Sequence, residues 1–239
     1  IGMDPVARQI ADAAGASLLI DLGDDTSNGA AWEAFSINSL AEQFSGFDVV
    51  AVAGNHDNGD SVANQMVEKG FTLLDGEPVD VGGVRFIGSS DPRSSGLTAG
   101  YDGKPASNAE LLRQQDEALM QAACADGNVS VVAVHSPSSA KRTAASGCVD
   151  LVLSGHLHRQ EGPEATTADN GETTWTLTTG STGGAVYAFA LGSKLRRTAQ
   201  ATIITFQEGR PVGLQVVDFE PGGKVTPQRY VPLRRPKAR

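Results

Sequence analysis

The chain has four histidines, and each follows a short apolar run. His56 sits in Val-Ala-Gly-Asn-His-Asp (52–57), His135 follows Val-Val-Ala-Val (131–134), and His156 and His158 share Leu-Ser-Gly-His-Leu-His (153–158). A further run, Leu18-Leu19-Ile20-Asp21-Leu22-Gly23-Asp24-Asp25, ends in carboxylates instead. Imidazole, amide and carboxylate groups gathered at the exits of buried strands are the ingredients of a divalent-metal site. The candidate ligands are Asp24, Asn55, His135, His156 and His158, a set with no thiolate, which suits Mn²⁺, Fe or Zn²⁺. His156 and His158 are read as alternate residues of an extended segment, so their side chains point the same way. Gly23 and Gly54 allow tight turns and close approach of backbone to a ligand.

Convergence of these groups requires elements that end together. Segments 17–21, 48–53, 129–134 and 149–153 are nearly continuous apolar runs, as parallel strands buried on both faces should be. In such sheets ligands bind outside the carboxyl ends of the strands, where the candidate residues lie. Helices are expected at 4–14, capped by Asp4 with Pro5 in the first turn, and at 31–44, 60–69 and 107–125. The 31–44 helix is expected to carry Trp32, Phe35, Ile37, Leu40 and Phe44 on one face. Short strands are expected at 71–74, 77–81 and 84–88, the last two a hairpin around Gly82-Gly83. Residues 137–147 form a short helical or loop segment. After His158 the pattern changes to antiparallel strands at 173–179, 185–191, 201–207, 212–219 and 228–232. The order fits an α/β fold of two packed sheets with helices outside, in one domain spanning 1–233. Residues 234–239 read as a disordered basic tail. No strand precedes the helix at 4–14, so the chain is expected to begin just downstream of one.

Composition narrows the function. A net charge of −9 argues against a protein that grips nucleic-acid backbones. No apolar run reaches the length of a membrane span. Cys124 and Cys148 fall at the ends of strands away from the histidines. A disulfide in an oxidising compartment and a pair of buried thiols are both open readings, whereas metal ligation is excluded by spacing and position.

Gly-Asp at 23–24, Gly-Asn-His-Asp at 54–57, His135 after its strand and Gly-His-Leu-His at 155–158 form an ordered series. It resembles the motifs of the calcineurin-like metallophosphoesterases and covers residues 17–158. The resemblance implies two packed mixed β-sheets flanked by helices, a four-layer αββα sandwich. The family's Asp-x-His motif, carried after its first strand, is absent and expected just before Ile1. By position, the resemblance implies that Asp24 bridges two divalent metals. Asn55, His135 and His156 would complete one shell, and His158 would belong to the other. One ion or fewer is then expected in this chain. Two cations about 3.5–4 Å apart clamp the attacking and leaving oxygens of a phosphoryl displacement and bring the pKa of bound water towards about 7. The implied activity is hydrolysis of a phosphodiester or phosphomonoester by a metal-bridging hydroxide. His56 would stabilise phosphoryl oxygens or protonate the departing oxygen, and Asp57 would orient His56.

The alternative is a catalytically impaired scaffold of the same type that serves protein interaction. A proton donor at His56 is needless in a scaffold and favours the enzyme. Asp21 and Asp25 are left outside the ligand set. Arg93, in Asp91-Pro92-Arg93, is read as a solvated loop residue, with a contact to substrate phosphate as its other reading. The implied partner is a small phosphate ester, a nucleotide or a lipid headgroup. Loops 89–106, 137–147 and 159–172 would choose among these but carry no readable code. Some bacterial members resembling this pattern carry membrane segments before the first motif. An upstream anchor with an extracytoplasmic domain is therefore the expected location, and a cytoplasmic one the alternative.

Overall fold

The computed structural model describes residues 3–57, 59–93, 105–183 and 197–233. The strand expected at 185–191, the basic tail 234–239 and most of the loop at 89–106 lie outside the described residues. Strands β1 (Leu18–Asp21), β2 (Asp48–Ala51) and β3 (Thr72–Leu73) form a parallel sheet in that order. A six-stranded sheet follows, built from β4 (Val79–Val81), β5 (Val84–Ser89), β6 (Val131–Val134), β7 (Leu151–Ser154), β8 (Glu161–Thr167) and β9 (Thr173–Thr178). Its order is β4-β5-β6-β7-β9-β8, with β5, β6, β7 and β9 parallel and antiparallel strands at both edges. The third sheet is antiparallel: β10 (Ala199–Gln207), β11 (Arg210–Phe219), β12 (Val225–Pro227) and β13 (Val231–Pro232).

The alternation of strand side chains explains the layers. Along β6, Val131 and Ala133 join a core shared by all three sheets, together with Val50, Phe86, Leu153 and Leu214. Val132 and Val134 face the other way, onto Leu119 and Ala123 of α4 (Pro105–Asp126) and Ala144 of α5 (Lys141–Ala145). Along β2 the same parity sends Val50 into the shared core and Val49 and Ala51 outward. They meet Ile37 of α2 (Ala34–Gln43) and Val62 and Met66 of α3 (Asp60–Glu68). Strands with apolar residues on both faces therefore lie between a helix layer and the other sheets, the αββα arrangement. Among the described residues no helix is long and apolar enough to cross a membrane.

Several expectations need correction. Among the described residues the strands from 199 onward pair with one another in a sheet of their own. β1 is half-buried throughout instead of buried on both faces, because it is the outer strand of its sheet among the described residues. Residues 161–167, expected within a loop, form the edge strand β8; its polar, mostly exposed sequence lacks the alternation that marks a half-buried strand. The helix expected from 31 opens with a 3-10 turn, Ala31–Glu33, and Trp32 and Phe35 lie exposed while Ile37 and Phe44 are buried. At α1 (Asp4–Ala13), Met3 holds the N-cap position, and Asp4 instead accepts a hydrogen bond from Ser39 Oγ at 2.5 Å.

Cys124 and Cys148 form a disulfide with Cα atoms 5.0 Å apart, joining the last turn of α4 to the loop before β7. Of the two readings open in the sequence, this is the one the fold adopts.

Candidate metal centre

Two loops interlock where β1 and β2 end. Gly23 has φ of 82°, and a Cβ on it would collide with Gly54 N; a Cβ on Gly54 would collide with Asp24 Oδ1 and lie 2.8 Å from His135 Cε1. Only glycine permits this backbone-to-backbone contact. The Asp57 carboxylate locks it, accepting hydrogen bonds from the amides of Asp24 (2.6 Å), Gly54 (2.8 Å) and Thr26 (2.8 Å) and from Thr26 Oγ1 (2.8 Å). Burial pushes the Asp57 carboxyl up, and these amide and hydroxyl donors pull against that rise.

His135 enters from the six-stranded sheet and is 1% exposed. Its Nδ1 lies 2.6 Å from the Leu22 carbonyl oxygen, so Nδ1 carries the proton and donates it. In the neutral ring Nε2 then presents a lone pair. That lone pair meets Asn55 Oδ1 at 3.0 Å, His156 Nδ1 at 3.2 Å and Asp24 Oδ2 at 3.2 Å. Asp24, His135 and His156 offer ligand atoms that all lie within 4.8 Å of one another. Four atoms that supply electron pairs are aimed at one point, an arrangement that protons satisfy poorly and a cation satisfies well. The donor set therefore fits a divalent ion.

His158 completes the rim. Its Nε2 is 3.9 Å from Asp24 Oδ2, and its side chain is 37% exposed. His156 and His158 do face the same carboxylate, but not as alternate residues of an extended segment. Both adopt left-handed backbone, with φ of 66° and 53°, and Asp24 does the same at 67°. Such conformations cost about 1–3 kcal/mol each and persist where the surroundings require them. Three of the five expected ligands carry that strain.

Electrostatics follow the geometry. Burial opposes the ionised form of Asp24, but contacts from His135, His158 and the His56 amide outweigh it and hold the carboxyl far below its usual range. Burial also lowers His135, yet the Asp24 carboxylate and the Leu22 carbonyl raise it above the ordinary histidine value. His156 is pulled down to about 4 by burial, then by the charges of His135 and Arg93.

His56 is half-buried beside this point. Its amide donates to Asp24 Oδ1 at 3.0 Å, and its ring Nδ1 lies 3.0 Å from the Ser27 carbonyl oxygen. Ser27 is thus one partner of the ring, and the Asp57 oxygens accept from loop amides and a hydroxyl.

Residues that sequence reading passed over also shape the site. Glu33, 4% exposed, accepts hydrogen bonds from the amides of Ser27, Asn28 and Ala30 at 2.9–3.1 Å. Its sequence signal is the Thr26-Ser27-Asn28 turn with a glutamate a few residues on, a helix-cap pattern. Arg93 is not a freely solvated loop residue: its side chain is only 17% exposed and its Nη2 stands 3.5 Å from His156 Nε2. Asp21 and Asp25 are half-buried, each with one enclosed oxygen that makes no hydrogen bond.

No curated protein matches the chain. The family model of the calcineurin-like phosphoesterases matches residues 4–160, from α1 to just past the second histidine of the rim. The interlocked Gly-Asp and Gly-Asn-His-Asp loops, with His135 and His156 closing over them, lie inside that span, and the chain belongs to the calcineurin-like phosphoesterase family.

Proposed function

We propose that the chain is a metal-dependent phosphohydrolase in which Asp24, Asn55, His135 and His156 would hold one divalent ion (Mn²⁺, Fe or Zn²⁺), with His158 turned to a second position across Asp24. The observation that carries this reading is His135 Nε2, the nitrogen left to serve a metal once Nδ1 donates to Leu22, placed against three other ligand atoms. Bound divalent ions supply Lewis-acid polarisation of a phosphoryl oxygen and a nucleophile at neutral pH.

The chain's own residues do the rest. The strained backbone at Asp24, His156 and His158 fixes the ligand directions before an ion arrives. His56 is held at both ends, by its amide on Asp24 and its Nδ1 on Ser27. With Nδ1–H donated to a carbonyl, Nε2 is the atom that gives a proton to a departing oxygen or a hydrogen bond to a phosphoryl oxygen. Asp57 keeps the two loops at one spacing, which sets the distance from His56 to the ligands.

The disulfide between Cys124 and Cys148 supports an extracytoplasmic location, since such bonds persist in oxidising compartments. The substrate is a small phosphate ester.

The test is hydrolysis of aryl phosphate esters, mono and di, by the Mn²⁺-loaded protein. His56→Ala is expected to lower kcat by about a hundredfold, within the range for a positioned acid, with metal content unchanged. Full activity in that variant overturns the role of His56; activity indifferent to chelation overturns the metal dependence.

A further inference from the structure

Arg93 stands apart from the expected ligands yet is built into their site. Its backbone amide and Nε both donate to Asp91 Oδ1 at 2.9 Å, and Nη2 donates to Asp91 Oδ2 at 2.7 Å. The Asp91 side chain is wholly buried, so the guanidinium is clamped rather than free to sweep through solvent. The clamp is tied to the ligand loop: Asp91 N donates to Ala53 O at 2.8 Å, and Ala53 N donates to Ser90 Oγ at 3.0 Å. Gln115 of α4 braces the other side, reaching Ser89 and Ser90 at 2.6–3.2 Å. Ala53 immediately precedes Gly54-Asn55, so the arginine and the ligands share one frame.

The direction of this frame is informative. Nη2 of Arg93 points at His156 Nε2 from 3.5 Å, while Nδ1 of the same ring faces the ligand cluster. When Nδ1 gives its lone pair to an ion, the neutral ring carries its proton on Nε2. Two donors then face each other with no acceptor between them. A cation beside a cation site also weakens metal binding unless an anion arrives with the metal. One group answers both conditions: an oxyanion seated against Arg93 and the His156 Nε2–H.

We infer that Arg93, braced by Asp91, is the phosphate-binding residue of this site and that it selects a terminal phosphate, the dianion of a phosphomonoester. A terminal phosphate has three unesterified oxygens, enough to serve the metal position, the guanidinium and the His156 Nε2–H together. A diester has two and leaves one partner short. The inference rests on the metal-centre reading above and adds the substrate class to it.

Calorimetry with Mn²⁺ and then inorganic phosphate as probes separates the two. In the wild-type chain each is expected to tighten the other. Arg93→Gln is expected to weaken phosphate binding by about tenfold or more, the loss of a charge-assisted contact, while Mn²⁺ binds as well or better. It is also expected to lower kcat/KM for an aryl monoester more than for the matching diester. Arg93→Lys, which keeps the charge and loses the fork, is expected to fall between. Mn²⁺ binding that weakens in parallel with phosphate binding overturns the inference, since a structural brace alone would do that. Unchanged phosphate affinity in both variants overturns it while the metal centre stands. A wild-type chain that binds no Mn²⁺ sinks the metal-centre reading and the inference together.

Discussion

His135 Nδ1 and the Leu22 carbonyl oxygen meet at 2.6 Å across the gap between the two parallel stacks, one residue following β6 and the other following β1. This hydrogen bond decides which nitrogen of His135 can serve a metal. It also leaves His135 as the ligand with a proton to lose, because Asp24 and Leu22 raise it against the opposing effect of burial. His156, pulled down to about 4, is already neutral at physiological pH.

Metal uptake is therefore expected to release up to about one proton per ion near pH 6.5, the proton of His135 Nε2. Apparent affinity should fall by up to about tenfold per pH unit below the His135 value, because the proton competes with the metal. Calorimetric titration in buffers of different ionisation enthalpy reads the proton count. Uptake without proton release would show that Nε2 is unprotonated in the metal-free site and that Asp24 does not raise it.

Close to the ligands in sequence, Asp21 and Asp25 make a half-buried acid pair, each with one carboxylate oxygen enclosed. Burial raises both, and for Asp25 the neighbouring charges of Asp21 and Asp57 raise it further. A carboxyl raised in the folded state contributes stability below its unfolded value of about 3.8 and loses it as pH rises through the folded value. Asp25→Asn removes that loss. The variant is expected to melt at a higher temperature than wild type at pH 8 in the metal-free protein, with the difference shrinking towards pH 4. His156 has the opposite slope between about 4 and 6.5, so comparison of variant with wild type isolates Asp25. Equal melting temperatures at pH 8 would mean that the pair is already solvated.

The ligands are legible in the sequence because each sits one to three residues past an apolar run, and the topology of parallel strands does the converging. Asp24, Asn55, His135 and His156 meet for that reason. What was not legible depends on contacts between distant loops. Arg93 lies 63 residues from His156, and no local pattern announces that a buried Asp91 turns it inward. The left-handed backbone at His156 and His158 is equally silent, since histidine has no sequence signature for positive φ. In the fold, the apolar runs of β2, β6 and β7 announce buried strands, whereas the polar edge strand β8 buries too little to leave a pattern.

Glu33 supplies a test of loop order without touching a ligand. Its carboxylate gathers three amides of the segment whose Ser27 carbonyl faces His56. Glu33→Ala leaves those amides without their acceptor, a cost of about 1–3 kcal/mol where water cannot replace it. The expected kinetic result is a fall in kcat of about tenfold or more as His56 drifts, with little change in Mn²⁺ affinity. Glu33→Gln, which keeps one acceptor oxygen, should recover part of the loss. A variant in which kcat is unchanged would separate the Glu33 clamp from His56.

The disulfide makes the complementary prediction, because it lies at the far ends of the strands from the ligands. Cys148 precedes β7 and Cys124 closes α4, whereas His156 follows β7 at its other end. Closing a loop of 24 residues' separation restricts the unfolded chain and is expected to stabilise the fold by about 3 kcal/mol. The Cys124→Ser, Cys148→Ser double variant should therefore unfold at lower urea concentration, and reduction of the wild type should reproduce the shift. Strands β6 and β7 are fully buried and held on both sides by parallel neighbours, so their exits should keep their spacing. Mn²⁺ affinity of the folded variant is then expected to match wild type. A loss of affinity in parallel with stability would show that the two ends of the sheet are mechanically coupled, and that the disulfide positions the site as well as holding the fold.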